Sequence, residues 1–145
     1  MNKFSTVLLF FHLCLLLILF DIDLSRNGFN ETFNKYKRRY SVIKKNMLKS
    51  DVEELLRKKQ DQISKIFYIL DVVCAWYPRK AECIHKTLLG YRILRVKLGV
   101  PVEMVIGVKK FPLGAHAWLQ IHNRCFFINE EESMKQYKII LSSLN

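Results

Sequence analysis

Cys83 and His116 are the residues of this chain whose types and settings fit covalent chemistry. Cys83 follows Ala81-Glu82 at the opening of a helix-like run, and His116 lies in Gly114-Ala115-His116-Ala117-Trp118, the opening of a strand-like run. A cysteine is nucleophilic only as thiolate, a form favoured by a helix N-terminus and nearby cations. Arg79 and Lys80 supply such cations, and Glu82 opposes them. An imidazole holds or passes a proton near neutral pH. Cysteine first and histidine later, with a third residue to orient the ring, are the parts of thiol acyl chemistry. Taken singly, each has a plainer reading: an ordinary helix cysteine, and a core histidine with a satisfied hydrogen bond.

Hairpin geometry nominates the third residue. If His122-Asn123 is a two-residue turn, Ile121 pairs with Arg124, and the ladder carried outward sets His116 opposite Asn129. Directly opposed Cβ atoms lie about 4.5–5.5 Å apart, within reach for orienting the ring. A register slip or bulge would put Glu130 there instead, and both stay open. His85 is set aside as a base because residues two apart on a helix do not face each other. His122 falls in the turn, and His12 has no visible partner.

The elements that must position these groups read as helices first and strands after. Phe4 to about Leu24 forms an apolar helix, Ser25 to Gly28 is turn chemistry, and Phe29 to about Lys49 is a basic helix with aromatic residues at helical spacing. Ser50-Asp51 is a candidate N-cap for a helix running to about Trp76, with Lys58-Lys59-Gln60-Asp61 as a possible break. The cysteine helix spans about Ala81 to Leu98, ended by Gly99 and Pro101. Strands follow at Val102–Val108, Ala115–Ile121 and Arg124–Ile128, and a short helix or strand near Tyr137 to Leu141. The fold class is α+β, with a small antiparallel sheet packed on the cysteine-bearing helix. The organisation reads as N-terminal helices over 1–50 and a core over 51–145.

The totals bound the partners. A chain of 145 residues, half of them hydrophobic, is one domain with a real core. The net charge of +11 attracts acidic partners, but no nucleic-acid motif fits, so nucleic acid is not expected. Most cations read as solvated helix faces. Cys14, Cys74, Cys83 and Cys125 show no CxxC spacing, which argues against a zinc site and for reduced thiols in the cytoplasm; no metal and no cofactor is expected. The run Val7 to Phe20 has three readings: a signal peptide, a transmembrane helix somewhat short of about 20 residues, or a buried or membrane-surface helix. The last is favoured, leaving a cytoplasmic protein with possible membrane-surface contact.

Taken together, Ala81-Glu82-Cys83-Ile84, Leu94-Arg95-Val96-Lys97-Leu98-Gly99-Val100-Pro101, Val105-Ile106-Gly107-Val108 and Ala115-His116-Ala117-Trp118-Leu119 resemble the C-terminal domain of lasso-peptide B proteins. Those are papain-type cysteine peptidases with a transglutaminase-like fold. The resemblance covers about Arg79 to Leu141 and extends more loosely over the helices. It implies a stand-alone leader peptidase with Cys83 as nucleophile and His116 as base. It further implies a precursor-peptide leader as substrate, a small leader-binding protein as partner, and a lasso cyclase downstream. The family often carries aspartate as third member; the matching stretch here is Phe127-Ile128-Asn129-Glu130-Glu131, and an asparagine orients the ring without charge. Two alternatives stand beside this expectation: another thiol acyltransferase acting on a peptide, and a non-catalytic, membrane-associated peptide-binding adaptor.

Overall fold

The computed structural model describes residues 3–41, 47–122, 124–128 and 136–143. Its elements are α1 (Lys3–Tyr40), α2 (Lys49–Trp76), α3 (Cys83–Leu98), β1 (Glu103–Lys109), β2 (Gly114–Ile121), β3 (Arg124–Phe126) and β4 (Lys138–Ser142). The four strands form an antiparallel sheet in the order β3-β2-β1-β4, and α3 packs against β2. Fold class α+β therefore holds, and the C-terminal segment left open between helix and strand is an edge strand on β1.

The helices depart from expectation in informative ways. α1 is broken at Gly28, whose φ of 75° and ψ of 174° are open to glycine, so the turn read from Ser25 to Gly28 is a sharp break between two helical halves. The second half stops at Tyr40, short of Lys49, and part of that stretch lies outside the described residues. Ser50-Asp51 does not cap α2. The cap is Leu48 in extended conformation, with no side-chain hydrogen bond. α2 also runs unbroken through Lys58 to Asp61, because its apolar stripe continues from Leu56 to Ile63 on the buried side. Lys59 has a tertiary role there: its Nζ donates to the Leu98 carbonyl at 2.7 Å, satisfying an end carbonyl of α3. Gly99 then adopts the left-handed conformation (φ 65°) that closes α3.

One hydrophobic core unites these layers. Leu13, Leu17 and Phe20 of α1, Leu56 and Leu70 of α2, Leu88, Leu89 and Leu94 of α3, and Met104 and Leu119 of the sheet belong to it. Arg95 is an exception to the solvated cations. It is buried, and its guanidinium donates to the carbonyls of Val102 (2.7 Å), Tyr40 (3.1 Å) and Ser41 (3.3 Å). It thus joins the end of α1 to the turn that launches β1. Burial drives its pKa below the usual arginine value. Arg95→Met is expected to lower stability by about 3 kcal/mol in denaturant unfolding, because buried carbonyls lose their donor.

Candidate active site

α3 begins at Cys83, with Glu82 as N-cap, so the thiol sits in the first turn where unpaired backbone N–H groups converge. The helix start is pinned by a reciprocal bond: the Glu82 N–H donates to Nδ1 of His85 at 3.0 Å, and the His85 N–H donates to the Glu82 carbonyl at 3.0 Å. Because Nδ1 accepts, the ring proton of His85 lies on Nε2, which faces Oδ1 of Asp21 at 3.4 Å. Asp21 Oδ2 accepts from the Tyr77 hydroxyl at 2.8 Å and from Arg79 Nη1 at 2.7 Å. A buried carboxylate of α1 thus gathers two donors from the segment that leads into the cysteine helix and one from the helix's first turn. Burial works to raise the Asp21 pKa, but the bonds from Tyr77 and His85 and the charge of Arg79 outweigh it and leave the carboxyl below its ordinary value.

His116 lies on β2 opposite Gly107 of β1. Its ring stacks on Trp118 with centroids 6.5 Å apart and planes at 16°, and the Tyr137 ring stands 6.0 Å away. Glycine at 107 makes room for this arrangement. A methyl there would lie 2.8 Å from Cη2 of Trp118 and 2.9 Å from Cβ of Tyr137. Gly107→Ala is therefore expected to cost about 1–3 kcal/mol in thermal or denaturant unfolding, and to lower turnover by displacing both rings that flank His116. Gly107 stood in the sequence as part of a strand motif, and a glycine inside a strand is itself a signal of close approach.

The thiol and the imidazole meet. A hydrogen bond to the His116 side chain is the largest influence on Cys83 and lowers its thiol pKa. Burial opposes this, while backbone hydrogen bonds from Ala117 and Ile84 and the His116 charge reinforce it. The other cysteines with shifted thiols move the opposite way: burial raises both Cys14 and Cys74. None of the four cysteines is in a disulfide.

The second ring nitrogen identifies the tautomer. His116 Nε2 lies 2.9 Å from the carbonyl of Phe127, which can only accept, so Nε2 carries the proton and Nδ1 is the nitrogen that can take one from the thiol. The hairpin register begins as expected, with Ile121 paired to Arg124, but the ladder ends at Phe126. Phe127 turns out of it at φ 71°, a left-handed conformation unfavourable for phenylalanine. Packing holds it there: its ring lies 4.6 Å from that of Phe67 on α2, Lys86 Nζ stands 4.6 Å from its centroid, and Gly90 of α3 leaves it space. The outward extrapolation that set His116 opposite Asn129 therefore fails as a ladder argument, and a backbone carbonyl occupies Nε2. Asn129 and Glu130 themselves lie outside the described residues.

A half-buried thiol with lowered pKa, a proton-accepting imidazole and a helix N-terminus form a unit able to attack a carbonyl and stabilise the oxyanion that results. Residues 34–142 match the transglutaminase-like superfamily. The chain belongs to that superfamily. No curated protein and no solved structure matches it. Transglutaminase-like proteins are typically cysteine-dependent hydrolases or transferases, in keeping with a cysteine-led helix facing a strand histidine. Asp21, which precedes the matched segment, and His85 and the Phe127 carbonyl within it support the site without a local signal in the sequence. His85 was judged only as a base, and Asp21 is 64 residues away from it in sequence.

Proposed function

We propose that this transglutaminase-like chain is a cysteine peptidase that removes the leader from a ribosomally made lasso-peptide precursor. The observation that carries the reading is the hydrogen bond between Cys83 and His116, coupled to a thiol pKa below the ordinary value. The resemblance of the segments around these two residues to lasso-peptide B proteins supplies the substrate class. Cys83 attacks the scissile carbonyl as thiolate, and backbone N–H groups at the start of α3 hold the oxyanion. Nδ1 of His116 carries the proton gained from the thiol and passes it to the leaving amine. The carbon–nitrogen bond breaks, the leader remains as a thioester on Cys83, and water, deprotonated by His116, releases it as a carboxylate. The Phe127 carbonyl keeps the ring in the Nε2–H tautomer.

A small leader-binding protein presents the precursor, a lasso cyclase takes the freed core, and the work takes place in the cytoplasm. The test is product identity. The chain is incubated with precursor and leader-binding protein, and the products are weighed by mass spectrometry. A free leader and a leaderless core are expected. A precursor joined to an amine would assign the dyad to acyl transfer instead, and an unchanged precursor under these conditions would overturn the peptidase reading.

A further inference from the structure

α1 carries two apolar faces, and the fold covers only one. At about 100° per residue, the buried Leu9, Leu13, Leu16, Leu17 and Phe20 fall in one arc about 100° wide. Leu8, Phe11, Leu15, Ile18, Leu19 and Ile22 fall in an arc of similar width on the opposite side, each between 44% and 64% exposed. This outward face runs along about 20 Å of helix, far beyond the scattered apolar residues of an ordinary surface. The six residues of this arc are all apolar, while the exposed His12 lies at its edge and shares the adjoining groove with Asp61 and Gln62. Cations border it: Lys65 of α2 and Lys97 of α3 line the groove beside Leu8, Phe11 and Leu15, and Arg26 follows Ile22 on the same side. The whole chain carries +11.

By length and composition α1 could cross a membrane. Its inner face argues for another placement, because crossing would pull Leu13, Leu17 and Phe20 from the core and Asp21 from Tyr77, Arg79 and His85.

We propose that α1 docks lengthwise on an anionic phospholipid bilayer, its outward apolar face at the headgroup boundary and Lys65, Lys97 and Arg26 on lipid phosphates. Apolar burial and electrostatic attraction then act together, as in interfacial helices. The placement goes beyond the peptidase reading and does not depend on it.

The full chain is co-sedimented with vesicles of phosphatidylcholine alone and of phosphatidylcholine with one-third phosphatidylglycerol. Binding at least tenfold stronger to the anionic vesicles is expected, weakening as salt is raised. Leu15→Glu/Ile18→Glu removes the apolar contact and should abolish binding. Lys65→Glu/Lys97→Glu leaves the apolar face intact and should lose only the preference for phosphatidylglycerol. Leader cleavage in solution should survive in all of these variants, so a failure here is separable from a failure of the peptidase reading. The proposal is overturned by an absence of vesicle binding or by binding that the Leu15/Ile18 variant retains. It is overturned equally by protein that resists alkaline carbonate extraction, as a spanning helix would, or by a wild-type dimer that this variant converts to monomer without any lipid affinity.

Discussion

Cys83→Ala should abolish precursor cleavage, with a fall in kcat of at least about a thousandfold, while leaving unfolding curves close to wild type. The sulfur is the only covalent partner available to the scissile carbonyl in this mechanism, so its loss leaves binding and the oxyanion donors alone. Cys83→Ser tests the same point more sharply, because a hydroxyl is isosteric but far less ionised at neutral pH. His116→Ala should lose activity to a similar degree, since the thiol would lose both its hydrogen bond and the proton acceptor. The double variant should be little worse than either single one, because residues that act as a unit are strongly non-additive. Single-turnover assays with precursor and leader-binding protein, beside denaturant titrations, check all four variants.

A stability loss as large as that at Arg95 is expected at Asp21. Asp21→Ala strips the acceptor from the Tyr77 hydroxyl, the Arg79 guanidinium and the His85 ring in one step. A cost of about 3 kcal/mol follows, within the range for breaking a buried charge-assisted cluster. Asp21→Asn keeps part of the bonding and should cost less. The pH dependence has a definite sign. A carboxyl whose folded pKa is depressed contributes stability that is fully present above its ordinary value of 3.8 and is lost as pH falls through the lower folded value. Wild-type stability should therefore drop in that acid window, and Asp21→Asn should flatten the drop. Urea titrations between pH 2 and 6 would show it. Activity should fall as well, because His85 ties this carboxylate to the Glu82 amide immediately before the nucleophile.

What the sequence let through, and what it hid, separates along physical lines. Local chemistry was legible. Gly28 and Gly99 mark backbone conformations that other residues resist; Gly99 ends α3 where expected, and Gly28 breaks α1 at the last residue of the expected turn, the helix running past Leu24 to reach it. The switch from helical to alternating period after Gly99 located the strands to within a residue or two, and the His122 turn set the Ile121–Arg124 pair. The approach of Cys83 to His116 was legible only as a pattern joined across 33 positions of chain, which no periodicity encodes. Tertiary substitutions for local rules stayed hidden. Lys59 reaches across to a carbonyl of α3, and Arg95 is buried against carbonyls of two segments, contacts that no local pattern around either cation encodes. Phe127 resisted for another reason: its left-handed backbone is imposed by packing against Phe67 and Gly90, and a phenylalanine gives no hint of positive φ. That one residue ends the ladder on which the placement of Asn129 depended.

The hydrogen bond to His116 lowers the Cys83 thiol pKa and makes this cysteine the nucleophile. This is tested most directly by alkylating the folded full chain with iodoacetamide across pH 5 to 9 and mapping each cysteine by mass spectrometry. Cys83 should react well below the pH at which Cys14 and Cys74 do, since burial pushes those two thiols up while the His116 bond pulls Cys83 down. His116→Ala should shift the Cys83 profile upward toward an unassisted thiol. A Cys83 profile that coincides with that of Cys74, or that does not move when His116 is removed, would contradict the account.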